Sequence, residues 1–159
     1  MSRFKGSFTV KLNVSASIKK ETKIKLPLLV IKSGIFPDAR HYAKNITTVN
    51  LYAVLLYGTR DGRIPSRNVL EFLNKYVEDN KNNFVGMYLK NRDDIMNAGT
   101  IIGTDINNKH KALIYGFKSP GNAPSTIKQK GFNDPLIDTG TLVKSIAFSI
   151  NGKGRYGRG

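Results

Sequence analysis

The spacing of the apolar residues changes along this chain, and that change constrains the fold more than any other feature. From Phe8 to Ala16 apolar and polar residues alternate strictly, which is the period of a strand with one buried face. From Arg67 to Leu89 the apolar residues recur at three- and four-residue steps, as on an amphipathic helix. Alternation returns from Ile146 to Ile150. Together these patterns predict an α+β fold, in which a small, mostly antiparallel sheet packs against two or three helices.

Shorter apolar runs add elements between these three. A β-branched run predicts a second strand over about Leu28 to Ile35, and residues 44–48 predict a further short strand. Residues 50–57 predict a buried helix that ends at Gly58. A weaker helical pattern covers residues 93–106 and 111–117. The middle third of the chain is therefore expected to be helical.

The 159 residues show no break in composition, which predicts a single domain. Within it, residues 1–27 are expected to form an N-terminal strand and basic arm, residues 28–150 the core, and residues 151–159 a flexible tail rich in glycine and arginine. Residues 119–138 are rich in proline, glycine and asparagine. They predict a long loop, and loops of that length are usually functional or ordered by a partner.

The charge of the chain indicates what it contacts. Lys and Arg number 26 against 11 Asp and Glu, which gives a net charge of +15, and the excess lies in the two ends of the sequence. Such an excess favours a polyanion as partner. The chain has no cysteine, which excludes disulfides and thiolate chemistry. No apolar run approaches the roughly 20 residues that cross a bilayer, and no signal peptide is recognisable, so we expect a cytoplasmic protein without membrane contact.

A pattern of two apolar residues followed by Asp-Thr-Gly-Thr runs from Leu136 to Thr141 and is typical of an aspartic protease. That enzyme needs two such carboxylates side by side, whereas this chain carries one copy, and few residues follow to complete a cleft with a flap. We interpret the pattern as a turn closed by Gly140, in which an oxygen of Asp138 or Thr139 accepts backbone N–H groups. An aspartic protease stays as a minor alternative.

The rest of the sequence offers no group of residues that fits catalysis. His41 and His110 are the only histidines, and neither has a second ligand at zinc-binding spacing. No recognisable motif sets a nucleophile beside a base. The sequence therefore predicts a protein that is not an enzyme, with no catalytic or metal-binding residue and no cofactor.

Two separate segments of the chain share a likeness to one family. The first contains Tyr57-Gly58-Thr59 and then Ile64-Pro65-Ser66-Arg67, and the second runs from Asn122 to Gly140. Together they resemble the neck or tail-completion (virion morphogenesis) proteins of tailed bacteriophages, over about residues 30–150. Where that family usually has a glutamate before the aromatic residue, this chain has Leu56, and Asn68-Val69 stand where Pro-Phe is common. The second segment is similar to the family throughout.

The resemblance implies an α+β subunit that assembles with itself into a ring, a hexamer or dodecamer, at the head–tail junction of the virion. It would be a structural adaptor, assembled in the bacterial cytoplasm between portal-side connector proteins and tail proteins. The motif residues that the resemblance makes candidates for subunit contacts are Gly58, Thr59, Ile64, Pro65, Arg67, Pro124, Thr126, Ile127, Lys130, Gly131, Pro135, Leu136, Asp138, Thr139 and Gly140. Arg67 is expected to pair with Glu71, four residues further on, or with an acid of a neighbouring subunit.

A ring around the DNA channel also accounts for the charge, because non-specific contacts with phosphates require basic residues but no base recognition. The candidate residues for the DNA-facing lumen are Lys19, Lys20, Lys23, Lys25 and Lys128. Two alternatives remain open. One is a tail terminator, which is also a small ring protein, and the other is a basic nucleic-acid-binding protein that acts as a monomer.

Overall fold

The computed structural model describes residues 7–12, 15–19, 22–39, 41–43 and 45–159. The strands are β1 Ser7–Leu12, β2 Ser15–Lys19, β3 Thr22–Lys25, β4 Leu29–Ile35, β5 His41–Ala43, β6 Ile46–Thr47, β7 Ile146–Ile150 and β8 Lys153–Tyr156. The helices are α1 Thr48–Tyr57, α2 Val69–Lys90, α3 Ile95–Gly116, α4 Pro124–Lys130 and α5 Thr141–Ser145. The predicted α+β class is confirmed.

The main sheet has four strands in the order β1-β4-β7-β8, and each neighbouring pair is antiparallel. On the face that packs against the helices, Ile31 lies opposite Ile150, and Ser33 lies opposite Phe148. Strands β2 and β3 form a separate two-stranded sheet, as do β5 and β6. The predicted strands over 28–35 and 146–150 correspond to β4 and β7.

Helices α2 and α3 form a hairpin against this sheet. The turn between them is fixed by Asp94, whose Oδ1 accepts the backbone N–H groups of Met96 at 3.0 Å and Asn97 at 2.9 Å. Leu73 and Phe84 of α2 are fully buried in a core shared with the sheet. The hairpin therefore buries the helical stripe that the sequence predicts over residues 67–89.

Helix α3 lies unusually close to β7, because it has no side chain at two points of contact. A Cβ atom added to Gly99 would lie 2.7 Å from Cγ2 of Ile150, and one added to Gly103 would overlap the ring of Phe148. Neither position leaves room for a side chain, so the two glycines allow the helix to approach the sheet this closely.

A chain of buried polar groups links α1, α3 and β4. The Tyr52 hydroxyl lies 2.5 Å from Nε2 of His110, and Nδ1 of His110 lies 3.1 Å from Oγ of Ser33. Ser33 donates to Oδ1 of Asn107 at 3.4 Å. The Ser33 hydroxyl has one proton, which it donates to Asn107, so it must accept a hydrogen bond from Nδ1 of His110. Nδ1 therefore carries the ring proton, and Nε2 accepts from the Tyr52 hydroxyl. This neutral tautomer satisfies every ring nitrogen, and burial lowers the pKa of His110 to about 4.

Two predicted strands differ from the structure. The alternation over residues 8–16 is divided, since β1 ends at Leu12 opposite Leu29 and the chain then enters β2, which pairs with β3. Alternation identifies an extended chain but not its partner, so it does not reveal this division. The strand expected over 44–48 is only β6, because Thr47 caps α1 by accepting the N–H of Asn50 at 3.1 Å.

The long loop and the flexible tail are the other corrections. Residues 119–138 contain α4, which begins with Pro124 and ends at Gly131 in the left-handed conformation (φ 80°). The tail does not simply fray, because β8 pairs with β7. Asn151 (φ 49°) and Gly152 (φ 78°) make the tight turn between these strands, a turn that requires positive φ angles. Among the described residues, no helix combines the length and apolar character needed to cross a bilayer.

Candidate functional site

The two motif segments meet around one cleft of about 780 Å³, called the motif cleft below. Apolar side chains of α1, Leu51 and Leu55, contribute to its lining. Ten of the fifteen candidate motif residues line it: Ile64, Pro65, Arg67, Thr126, Lys130, Pro135, Leu136, Asp138, Thr139 and Gly140. The other five, Gly58, Thr59, Pro124, Ile127 and Gly131, lie outside the lining, in the turn after α1 and in or next to α4.

The first motif begins with a tight turn that follows α1. Gly58 has a φ of 75°, and a Cβ atom there would lie 2.6 Å from the carbonyl oxygen of Ile64. Thr59 closes the turn twice, since its N–H donates to the Ile64 carbonyl at 2.9 Å and its Oγ1 accepts the Ile64 N–H at 3.0 Å. The same hydroxyl donates to Asp61 at 2.6 Å. Gly58 and Thr59 therefore position Ile64 and the residues after it.

The next residues of this motif attach to the end of α1. The hydroxyl of Ser66 donates to the Leu56 carbonyl at 2.6 Å, and the N–H of Arg67 donates to the Leu55 carbonyl at 2.9 Å. The last carbonyls of a helix have no partner within the helix, so these bonds satisfy two of them. They hold Arg67 against the helix end with its side chain in the cleft.

Arg67 is only 5% exposed, and its guanidinium ties the first motif to the beginning of the second. Its Nε donates to the Pro120 carbonyl at 3.1 Å, and its Nη2 donates to the Gly121 carbonyl at 2.8 Å. The expected pairing with Glu71 is wrong, because Arg67 precedes the first turn of α2 and Glu71 accepts from Asn68 at 2.8 Å. Burial lowers the pKa of Arg67.

The second motif is folded back on itself by its own polar side chains. The N–H of Asn122 donates to Oδ1 of Asn133 at 2.9 Å, which fixes the approach to α4. After α4, the ammonium of Lys130 donates to the carbonyls of Asp134 (2.9 Å) and Ile137. Lys130 Nζ also lies 4.7 Å from the centre of the Phe132 ring, a cation–π contact. Lys130 therefore holds the segment that leads to Asp138.

The charged side chains that line the cleft are Arg63, Arg67, Lys130 and Asp138, and Arg63 is paired with Asp61 at 3.2 Å. Burial is the largest influence on Lys130 and lowers its pKa, while the charges of Asp138 and Asp134 oppose this change and the charge of Arg67 adds to it. Asp134 also forms an ion pair with Lys118. The cleft thus presents positive charge, from Arg67 and Lys130, that Asp138 only partly balances.

The Asp-Thr-Gly-Thr pattern forms the predicted turn. Gly140 is in the left-handed conformation (φ 77°) immediately before α5. Oγ1 of Thr139 accepts the N–H of Thr141 at 3.4 Å and lies 2.7 Å from the Thr141 hydroxyl. Asp138 is exposed where it lines the cleft. The side-chain contact of Thr139 and the glycine conformation both fit the interpretation as a turn.

The described candidates for DNA-facing lysines lie in the small β2–β3 sheet and on α4. Lys128 is exposed on α4, and Lys25 is exposed at the end of β3. Lys19 and Lys23 lie in β2 and β3, and Lys20 is outside the described residues. Lys25 and Lys128 are not among the residues that line the cleft.

Sequence reasoning missed two residues that shape the cleft or the core beside it. Asn122 stood within the second motif but had no assigned role, and the buried position of His110 had no local signal. Ser66 was expected to cap the long helix, but its hydroxyl bonds to Leu56 and Asn68 stands at the N-cap. In the part of the chain that the structure describes, no three His, Asp or Glu side chains converge as metal ligands would. Comparisons with protein-family models, with curated proteins and with solved structures find no match. The motifs and the cleft they form are therefore the basis for a function.

Proposed function

We propose that this chain is a structural subunit of a tailed-phage virion, of the neck or tail-completion type, which forms a ring with copies of itself around the DNA channel. The observation that carries the proposal is the meeting of both motifs in one cleft. They are distant in sequence, yet Arg67 of the first donates two hydrogen bonds to carbonyls that lead into the second. Motifs that shape one surface together are expected where that surface meets other subunits.

The contacts within the motifs support a structural adaptor rather than a catalyst. Thr59, Ser66, Arg67 and Lys130 all bond to backbone groups, so they determine the shape of the chain. Catalysis would need a nucleophile and a base within hydrogen-bond reach of each other. The hydrogen bonds of these four side chains instead fix the course of the backbone around the cleft.

The charge supports a place next to DNA. A net charge of +15 attracts phosphates without selecting a base sequence, and exposed lysines such as Lys25 and Lys128 are available for such contacts. The same charge also favours a second candidate, a monomeric nucleic-acid-binding protein. The two differ in what the free protein does, because only the second should bind DNA as a monomer with steep salt dependence.

The proposal can be tested by deleting the coding sequence from a phage that encodes this chain. We expect DNA-filled heads and complete tails that do not join, with joining restored when the protein is supplied from a plasmid. A tail terminator would instead produce tails of uncontrolled length, because nothing would stop their polymerisation. Normal infectious particles in the deletion would contradict every virion role and leave the nucleic-acid-binding candidate.

A further inference from the structure

We propose that the motif cleft binds an acidic side chain on an extended segment of a different protein. The inference deepens the proposed function and rests on it, since an adaptor must hold the proteins beside it. It identifies the chemistry of that contact: a carboxylate that reaches Arg67, flanked by aliphatic side chains that contact Leu51 and Leu55. The observations that carry it are hydrogen-bond donors in the cleft that the chain itself leaves unused.

Arg67 supplies most of these donors. A guanidinium has five N–H groups, and two of them donate to the carbonyls of Pro120 and Gly121. Three N–H groups are left with no acceptor among the residues that the structure describes, although the residue is 5% exposed. No nitrogen of Arg67 is both buried and without a partner, so these spare N–H groups are open to the solvent of the cleft. A negatively charged acceptor that enters the cleft can therefore reach them and form charge-assisted hydrogen bonds.

A second unused donor belongs to Asn122. Its side-chain nitrogen, Nδ2, is buried and has no hydrogen-bond partner in the described part of the chain, and Asn122 lines the same cleft as Arg67. Lys130 adds a third donor group, because two of its three N–H groups reach the Asp134 and Ile137 carbonyls and one is left. Because Arg67, Asn122 and Lys130 line one cleft, the spare donors there suit an acceptor that is negatively charged.

A carboxylate fits this site better than a DNA phosphate. Duplex DNA presents its phosphates on a broad convex surface, which exposed lysines can reach but a guanidinium buried in a cleft cannot. A carboxylate on a side chain can enter the cleft and accept two parallel N–H bonds from Arg67. The apolar lining from Leu51, Leu55 and Leu136 suits the aliphatic neighbours of such a side chain.

A different protein fits better than a second copy of this chain. Every acidic side chain that the structure describes already has a polar or electrostatic partner: Asp38, Asp61, Glu71, Glu78, Asp79, Asp93, Asp94, Asp105, Asp134 and Asp138. A copy would also bring its own charge of +15 to the contact. The complementary partner is therefore a protein with an acidic, extended segment.

The test is an NMR titration of the full ¹⁵N-labelled chain with two blocked peptides. One is acetyl-Ala-Leu-Glu-Leu-Ala-amide, and the other has glutamine in place of glutamate. We expect the Glu peptide to shift the Nε–H signal of Arg67 and the side-chain amide of Asn122. The Gln peptide should bind at least about tenfold more weakly, since charge-assisted bonds are roughly twice as strong as neutral ones.

The decisive variant is Asn122→Asp, which keeps the shape of the side chain and places a negative charge in the cleft. We expect it to weaken binding of the Glu peptide at least about tenfold, whereas Asn108→Asp, an equal charge change at an exposed position of α3, should not. Asn122→Ala removes the donor without adding charge and should weaken binding less. Folding is checked in each variant from its backbone spectrum, and Asn122→Ala replaces Asn122→Asp if the latter unfolds.

Several results would overturn the inference. Equal binding of the Glu and Gln peptides, or unchanged binding by the Asn122 variants, would show that the cleft does not select a carboxylate. If inorganic phosphate or duplex DNA shifts the Nε–H signal of Arg67 at a lower concentration than the peptide does, the site would be assigned to phosphate. If the free chain self-associates and Asn122→Asp abolishes that self-association, the occupant of the motif cleft would be a second copy of this chain. Since the titration uses the isolated chain, failure here and failure to find a ring in virions are separate outcomes.

Discussion

The core between α3 and β7 and the motif cleft differ in how their polar groups are hydrogen-bonded. In the core, Gly99 and Gly103 bring helix and sheet together, and the buried His110 has a partner for each ring nitrogen. In the cleft, Arg67 leaves three N–H groups that bond to no described residue, and Nδ2 of Asn122 is buried without a partner. The contact of α3 with β7 and the polar chain around His110 are satisfied within the single chain, whereas under our proposal a ligand satisfies the donors of the cleft.

That difference separates residues that serve the fold from residues that serve binding. A side chain whose contacts are all internal is explained by stability, and its loss should be measured as a lower free energy of unfolding. A buried donor without an acceptor lowers stability, and where such a donor belongs to a residue that lines a cleft we infer a binding role for it. The following predictions test this division, beginning with the largest expected effect.

Phe148→Ala should lower the free energy of unfolding by about 3–5 kcal/mol, because it opens a cavity between the sheet and α3. Phe148 is 2% exposed, and its ring centre lies 5.4 Å from that of Tyr156. Phe72 is the matched control, because it is 56% exposed and its change to alanine should cost less than about 1 kcal/mol. Chemical denaturation measures both. Similar losses in the two variants would contradict the position of the core.

The free energy of unfolding should fall by about 3 kcal/mol as the pH decreases from 6.5 to 4. Burial lowers the pKa of His110 from 6.5 to about 4, so in this window the unfolded chain binds a proton that the folded chain does not. Above pH 6.5 both states are neutral and the contribution of His110 is constant. Denaturation at several pH values measures the slope. His110→Gln has no titrating group at that position and should remove most of it, and an unchanged slope would contradict the buried neutral histidine.

Gly99→Ala should lower the free energy of unfolding by about 1–3 kcal/mol, because the new methyl group meets Ile150 where α3 lies against β7. Gly86 of α2 is the matched control, since no atom lies within 4 Å of its Cβ position. Gly86→Ala should raise the free energy of unfolding by about 0.5–1 kcal/mol through helix propensity. Thermal or chemical denaturation compares the two, and a stabilising Gly99→Ala would mean that the helix is not held so close.

Asn122→Ala should change the free energy of unfolding by less than about 1 kcal/mol, in either direction, because the deleted amide nitrogen has no partner. The backbone N–H of Asn122, which bonds to Asn133, is unaffected. Ser149 is the counterpart in the core, since its hydroxyl is also buried without a partner, and Ser149→Ala should be equally mild. A loss above about 2 kcal/mol for Asn122→Ala, measured by denaturation, would mean that the cleft is held together by this residue.

The sequence predicts what depends on local pattern. The period of the apolar residues identifies α2, β4 and β7, because each buries one continuous face. Two signals were present but not used: Asn151-Gly152, a strong turn pair that predicts the hairpin to β8, and Pro124 with Gly131, which delimit α4.

Other features have no local signal. His110 is buried by Tyr52 and Ser33, which are far from it in sequence, so only the fold brings these three together. Arg67 was expected to follow helical spacing to Glu71, but the helix begins at Val69 and the side chain turns to the carbonyls at 120 and 121. The motifs identify two separate segments of the chain, and only the structure shows that these segments share one cleft.

The most direct test of the proposed role is cryo-electron microscopy of virions from a phage that encodes this chain. The account predicts density that fits α2, α3 and the four-stranded sheet, repeated as a closed ring around the DNA channel at the head–tail junction, with the motif cleft against a neighbouring protein. Absence of this chain from the particle, together with salt-dependent DNA binding by the free monomer, would contradict the account.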